Sequence, residues 1–377
     1  MTDASHPAKK QRMSKVRVSR CHPLLGALFR TLLTHVKIIG THNGTFHCDE
    51  ALAVFLLRLT DTYSNAGVKR TRDPIVLDTC DIVVDVGAIY DEARQRFDHH
   101  QRGFTEVFGS GFSTKLSSAG LIYKFFGVFM FHHQPLTSLN RHFGQEIIAK
   151  HTKAPSDDPK VTALWLKMYK EFVEAIDAID NGIAQFSTKE SPTYKNRTDL
   201  SSRVGWLNPA WNETVTSDQV DSLFEKASSL TGEEFIGRLS YYTDAWLPGR
   251  DIVQAAFSSR LDIDPSGKIL LFETFAPWKE HLFDLEKDTN VPDDSKPFYV
   301  IYPDETGNSW RVQAVPVSPD SFESRKALPE AWRGIRDAEL SNISGVEGCI
   351  FIHASGFIGG NKTRNGALKL AQLALAT

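Results

Sequence analysis

The chain has 377 residues, 41% hydrophobic and 24% charged, with a formal net charge of −3. That balance excludes a disordered chain, leaves room for two globular domains, and confines any nucleic-acid contact to a local basic surface. No apolar run approaches the ~20 residues of a membrane helix, and the four cysteines lie far apart with no CxxC spacing, which argues against a zinc ribbon or thioredoxin-like motif.

Residues 1–35 form a distinct segment. Lys9, Lys10, Arg12, Lys15, Arg17, Arg20 and Arg30 face a single acid, Asp3. The AKKQR stretch reads as a nuclear import signal, and the leucine-containing piece that follows reads as an amphipathic mitochondrial presequence. The plainer alternative is a solvated basic tail.

Residues 35–39 read as a strand leading into Gly40 and the loop THNGTFH. Residues 48–59 read as a helix, with Ala51, Val54, Phe55 and Leu59 on one face and Asp49 and Glu50 in the first turn, where the helix dipole favours anions. Further strands are expected at 74–77 and 82–86, the latter apolar on both faces like a buried parallel strand. Arg96-Phe97 leads into Asp98-His99-His100. Helical spacing returns at 116–126 and 165–179, with Asn181-Gly182 as a stop. Residues 187–202 look loop-like and 217–246 helical. Strands at 269–272, 298–302, 310–317 and 349–353 and a helix at 366–376 close the chain, with a surface loop at 287–296. The expected fold is α/β: a parallel-sheet metal-binding domain at 36–186, a polar and helical connection at 187–250, and a smaller α/β substrate-binding domain at 251–377.

Chemistry-bearing side chains gather where the strands end, the place where ligands sit in such sheets. His42, His47 and Asp49 have H-x4-H-x-D spacing across a loop and a helix start; imidazole and carboxylate together suit Mn²⁺, with Mg²⁺, Co²⁺ or Zn²⁺ as options. On its own this is also what a polar loop with a capping Asp looks like. Asp85 interrupts the apolar run IVVDVG, and a carboxylate there is costly to bury unless paired or metal-bound. Its two oxygens suit it to bridge two ions. Consecutive Asp98, His99 and His100 point in different directions, so His99 is assigned to metal, His100 to the reacting phosphate, and Asp98 to orienting an imidazole or touching the metal itself. His132-His133 has no acid partner and reads as structural. Two ions suit hydrolysis of a phosphoester. Asp177 and Asp180 end a helix three residues apart and can point the same way. Near the C-terminus Gly359-Gly360 reads as a turn whose backbone approaches an anion, beside His353, Lys362 and Arg364. Other basic residues, Arg70, Arg72, Lys195, Arg197 and Arg203 among them, read as surface charge.

The ordered segments HNGTFHCDEALA, DIVVDVG, FDHHQRGF, KLSSAGLIY, AIDAIDNGI, PWKEHL, AWRGIRD and IHASGFIGG resemble the melanocyte proliferating gene exonuclease family of the DHH phosphoesterase superfamily, from residue 41 to the C-terminus. The resemblance implies a 3′→5′ exonuclease acting on the single-stranded 3′ end of RNA, two Mn²⁺ or Mg²⁺ ions, and residence in nucleus and mitochondrion with a role in RNA processing. It implies His42, His47, Asp49, Asp85, His99 and Asp180 as metal ligands, Asp180 being preferred to Asp177. His100 matches the catalytic histidine with Asp98 beside it, and the Gly359-Gly360-Asn361 turn resembles the family's substrate-binding motif; with His353, Lys362, Arg364 and Arg102, the last a surface charge by default, it makes up the expected substrate-binding set. Two departures bear on this. Many DHH enzymes have Asp where His47 stands, which bears on metal preference. The wider superfamily often has His after the paired glycines, where this chain has Asn361.

Two other functions compete. The same metals serve a hydrolase of pyrophosphate, a nucleotide or a short oligonucleotide, which substrate size would distinguish. A non-catalytic module with a stabilising metal would show no turnover, but has no need of His100.

Overall fold

The computed structural model describes residues 36–127, 130–131, 134–135, 141–186 and 194–377. The basic segment 1–35 and the His132-His133 pair lie outside them. Residues 37–377 form one compact unit.

The first sheet has five strands: β1 (Ile38–Thr41), β2 (Gly67–Arg70), β3 (Ile82–Val84), β4 (Tyr90–Asp91) and β5 (Arg96–Phe97), in the order β2-β1-β3-β5-β4. β2, β1, β3 and β5 run parallel, and β4 closes one edge antiparallel. One face packs Ile39, Ile82, Val84 and Phe97 into the main core; the other covers Val83 with Leu77 and Cys80. Burial on both faces explains the unbroken apolar run in β3. Helix α1 (Cys48–Leu59) lies on the main-core face beside the helix Ser118–Lys124 and the long helix Ser217–Tyr241. The last of these fits closely: a β-carbon on Gly232 would come within 2.1 Å of the Phe55 ring.

The second sheet takes the strands in the order Ile269–Leu271, Tyr299–Pro303, Trp310–Ala314, Ile358–Asn361, Cys349–Ile352, parallel in the first pair and antiparallel afterwards. Arg364–Ala376 contributes to the core on one face and Trp278–Asp288 to that on the other. Lys167 Nζ, 2.7 Å from Glu280 Oε1 and stacked over Tyr242 and Trp246, ties this half to the first. Among the described residues no helix is long and apolar enough to cross a membrane.

The structure corrects four readings. Residues 74–77 form a short helix, not a strand, because Asp73 caps it by accepting from Ile75 N–H and Pro74 suits a first turn. The strand is Gly67–Arg70, whose sequence GVKR gives little apolar signal because it lies at a sheet edge. The expected helix over 165–179 is broken by a π-helical turn at Tyr169–Val173. Gly359 and Gly360 lie in an interior strand, not a turn, and they are glycine because β-carbons would meet Ile352 at 2.2 Å and Arg311 at 3.1 Å. Finally, Phe224, Ala227, Phe235 and Leu239, from the segment expected to be a connection, belong to the first core.

Candidate metal centre

Three adjacent parallel strands deliver the centre. His42 follows β1, Asp85 follows β3, and Asp98-His99-His100 follow β5. The first turn of α1 adds Asp49 and Glu50, and the helix Glu174–Asp180 ends at Asp180. Asp85 sits at φ 57°, in the left-handed region, which turns its side chain out of the strand path.

The side chains converge closely. His42 Nε2 is 3.1 Å from Glu50 Oε1 and 3.2 Å from Asp85 Oδ2. His99 Nε2 is 3.2 Å from Asp85 Oδ1 and 3.1 Å from Asp180 Oδ2, with Asp49 Oδ2 at 4.0 Å. Three sets have ligand atoms within 4.8 Å of one another: His42, His47, Glu50 and Asp85; Asp85, His99 and His100; Asp49, His99 and Asp180. Asp85 and His99 each belong to two of them. His100 Nδ1 lies 2.7 Å from Asp98 Oδ1, whose carboxylate also accepts from His100 N–H and Ala88 N–H, so the imidazole orientation is fixed.

The helix Ser118–Lys124 supports these ligands. Ser118 N–H donates to Asp49 Oδ2 and Ser118 Oγ to Asp85 Oδ1, both at 3.2 Å. The start of that helix is itself held by Asp177, which accepts from Ser117 N–H, Ser117 Oγ, Gly120 N–H and, at its other oxygen, Tyr169 O–H. The π-helical turn begins at Tyr169. Of the two acids at this helix end, Asp180 therefore faces the histidines and Asp177 faces a scaffold.

Electrostatics follow from burial and pairing. Burial pulls the His42 ring down, but hydrogen bonds to Asp85 and Glu50 outweigh it and raise it to about 10. At His99 burial acts the same way and is outweighed by Asp180 and Asp85, giving about 9. Asp85 is buried, which alone would raise it, yet His42 and His99 hold it well below the usual carboxylate range. Burial and the neighbouring carboxylates push Asp49 well up, and burial raises Asp177 to about 7 despite its four donors.

The donor set fits a divalent cation. Among the described residues no Lys or Arg pairs with Asp49, Glu50, Asp85, Asp98 or Asp180. Asp49 Oδ1, Glu50 Oε2 and both ring nitrogens of His99 are buried without a hydrogen-bond partner. Carboxylate oxygens approach His99 Nε2 without hydrogen-bond alignment, as atoms do when they converge on a common point. Burying more carboxylates than the two imidazoles can offset is costly unless a cation joins them.

Glu50 and Ser118 were not assigned from sequence. Glu50 accepts from His47 N–H at 2.8 Å, and an acid three residues into a helix is the only signal it gives. Arg72 lines the cavity of about 450 Å³ with His42, His47, Asp85 and His100. The expected substrate-binding residues fall outside this cluster. Arg102, His353 and Lys362 are exposed, and Arg364 pairs with Glu273 at 2.9 Å. Asn361 is fully buried, its amide donating to Glu347 O and accepting from Thr363 N–H. It holds the strand-to-helix connection and has no face for substrate.

Fold and centre together define an α/β protein with an imidazole–carboxylate site suited to divalent cations. The chain belongs to the MYG1 exonuclease family: the family model described as uncharacterised protein family UPF0160 matches residues 38–138 and 139–375. It is 49% identical to the MYG1 exonuclease of Homo sapiens over 90% of this chain and 85% of that one, and 49% identical to that of Bos taurus over 90% and 84%. A crystal structure of exonuclease RecJ bound to manganese aligns with 90% of this chain and 89% of its own at 14% identity, with a TM-score of 0.24, too low an overlap to define a shared fold.

Proposed function

We propose that this protein is a divalent-cation-dependent nuclease that removes nucleotides from the 3′ end of single-stranded RNA. The observation that carries the reading is Asp85: its two oxygens address His42 and His99 separately, so one carboxylate joins two ligand sets. His42, His47, Asp49, Glu50, Asp85, His99 and Asp180 would hold the cations. Bound Mn²⁺ or Mg²⁺ would acidify a water and offset charge on the phosphate. The protein's own contribution is positional. Asp98 fixes His100 through Nδ1 and leaves Nε2 to hand a proton to, or take one from, an oxygen of the phosphate. Ser118 keeps Asp49 and Asp85 in place. Arg72 offers positive charge at the cavity wall, and Arg102, His353, Lys362 and Arg364 are the further substrate contacts in this reading.

The name carried by the human and bovine relatives supports an exonuclease, and family membership extends that name to this chain as a proposal. Purified protein with Mn²⁺ should shorten 5′-labelled RNA stepwise from its 3′ end, and Asp85→Ala or His99→Ala should abolish this. Internal cleavage only, full activity in both variants, or preference for pyrophosphate over RNA in parallel reactions would defeat the proposal. We further propose that residues 1–35 direct the protein to nucleus and mitochondrion, which fusion of that segment to a reporter tests.

A further inference from the structure

Four of the seven exposed large aromatic side chains among the described residues fall between 186 and 211: Phe186, Tyr194, Trp206 and Trp211. Single exposed apolar residues are ordinary, so what distinguishes Trp206 and Trp211 is where their chain is anchored. The later part of the stretch is attached to the metal centre. It carries a clamp in which Asn208 Oδ1 accepts from Phe46 N–H at 3.0 Å while its Nδ2 donates to Phe46 O at 2.9 Å. Phe46 directly precedes His47. Trp206 and Trp211 flank Asn208 and are 63% and 97% exposed.

Their exposure belongs to a rigid frame. The helix Leu200–Gly205 buries Val204, and Leu207 packs against the main core. Arg203 pairs with Glu234 of the long helix. Trp211 lies in a turn closed twice by Glu213, whose N–H donates to Ala210 O and whose carboxylate accepts from Ala210 N–H. The backbone that carries the two solvent-facing indoles is therefore anchored to the loop carrying His42 and His47. Lys195 and Arg197, earlier in the stretch, are exposed and form no ion pair among the described residues.

We propose that Trp206 and Trp211 form a base-stacking platform for a single strand of nucleic acid entering the metal centre. The proposal rests on the nuclease reading and deepens it. Aromatic faces on chain clamped to the metal-centre loop, with Arg72 lining the adjoining cavity, are a combination that suits single strands, because every base has a π-face and every linkage a charge. The platform reads no base edge, so it grips strands of any sequence.

The test is fluorescence anisotropy with a 5′-labelled phosphorothioate strand of about 12 nucleotides, within the usual range of single-strand site sizes, with cleavage of ordinary RNA measured in parallel. Trp206→Ala and Trp211→Ala should each weaken binding by roughly tenfold, the effect of removing one stacked ring. Trp211→Phe should restore most of the affinity and Trp211→Leu should not, a distinction that a merely structural role would not produce. Circular dichroism on each variant separates misfolding from lost contact. Wild-type protein that cleaves RNA while the Trp→Ala and Trp211→Leu variants bind as tightly as it does overturns this inference and leaves the nuclease reading standing. Wild-type protein that neither binds nor cleaves overturns both. Variants that keep strand binding but lose self-association in light scattering assign the indoles to a protein contact and also overturn it.

Discussion

Metal binding should expel a countable number of protons. His42 is raised to about 10 and His99 to about 9, burial being outweighed in each case by two carboxylate partners. Both rings are therefore protonated in the metal-free protein near neutral pH, whereas a cation takes only the neutral imidazole. At least two protons must leave, one from each ring, and Asp49, which burial and its carboxylate neighbours push well up, adds to the release wherever it is still protonated. The apparent affinity for Mn²⁺ should then rise at least about a hundredfold per pH unit between roughly pH 6.5 and 9, tenfold for each proton displaced. Folding stability has the opposite slope. An imidazole raised on folding contributes stability that is complete below its unfolded value near 6.5 and disappears as pH climbs through its folded value. The metal-free protein should lose stability across that window, on the order of 3–5 kcal/mol for each ring taken alone, and saturating metal should largely suppress the loss. Titration calorimetry in two buffers of different ionisation enthalpy counts the protons, and competition with a chromophoric chelator across pH gives the slope. An affinity that does not change with pH, or a binding enthalpy independent of the buffer, would refute the assignment of His42 and His99 as protonated, carboxylate-paired ligands.

Two further perturbations probe the scaffold around the ligands. Gly120→Ala places a β-carbon 2.2 Å from Asp177 Oδ2, so it should destabilise by about 1–3 kcal/mol through overpacking and loosen Ser118 from Asp49 and Asp85; a thermal melt that does not move would show that Asp177 is not the fixed anchor described. Asn208→Leu removes both partners of the Phe46 backbone amide, leaving a buried donor and acceptor unmet at a cost of about 1–3 kcal/mol. Amide exchange across residues 43–47 should quicken, and unchanged exchange there would mean that the loop carrying His42 and His47 is held by something else.

The side chains that the fold brings together were legible because their residue types are conspicuous where they stand. A carboxylate inside IVVDVG and an acid beside two imidazoles directly after a short strand have few ordinary explanations. Glu50 was hidden because an acid in a first helical turn already has one, the helix dipole. Ser118 was hidden because a hydroxyl near a helix start reads as a cap, and only the fold brings it to Asp49 and Asp85. The glycine pair misled in the other direction. Gly-Gly usually marks a turn, but here Ile352 and Phe351 crowd the strand from its neighbour, so the missing side chains record close packing. Trp206 and Trp211 gave no warning, because a tryptophan in a sequence is ordinarily assigned to a core, and only the clamp on Phe46 and the Glu213 turn show that these two are held outside one.

The backbone of Asp85 explains why an aspartate, rather than another ligand, ends this strand. At φ 57° most L-residues are strained, by roughly 1–2 kcal/mol, while glycine is not. Glycine would relieve the strain but remove the carboxylate that His42, His99 and Ser118 all address. A glutamate would keep the charge, yet it lacks the short side chain that lets aspartate and asparagine tolerate this conformation through local hydrogen bonding. Asparagine would tolerate the backbone, but one of its two terminal atoms is an amide nitrogen, which cannot ligate and would face an imidazole that needs an acceptor. Aspartate alone satisfies the left-handed turn and offers two equivalent oxygens on opposite sides. The strand end and the junction of the two ligand sets are therefore a single structural requirement, and a change at position 85 disturbs both at once.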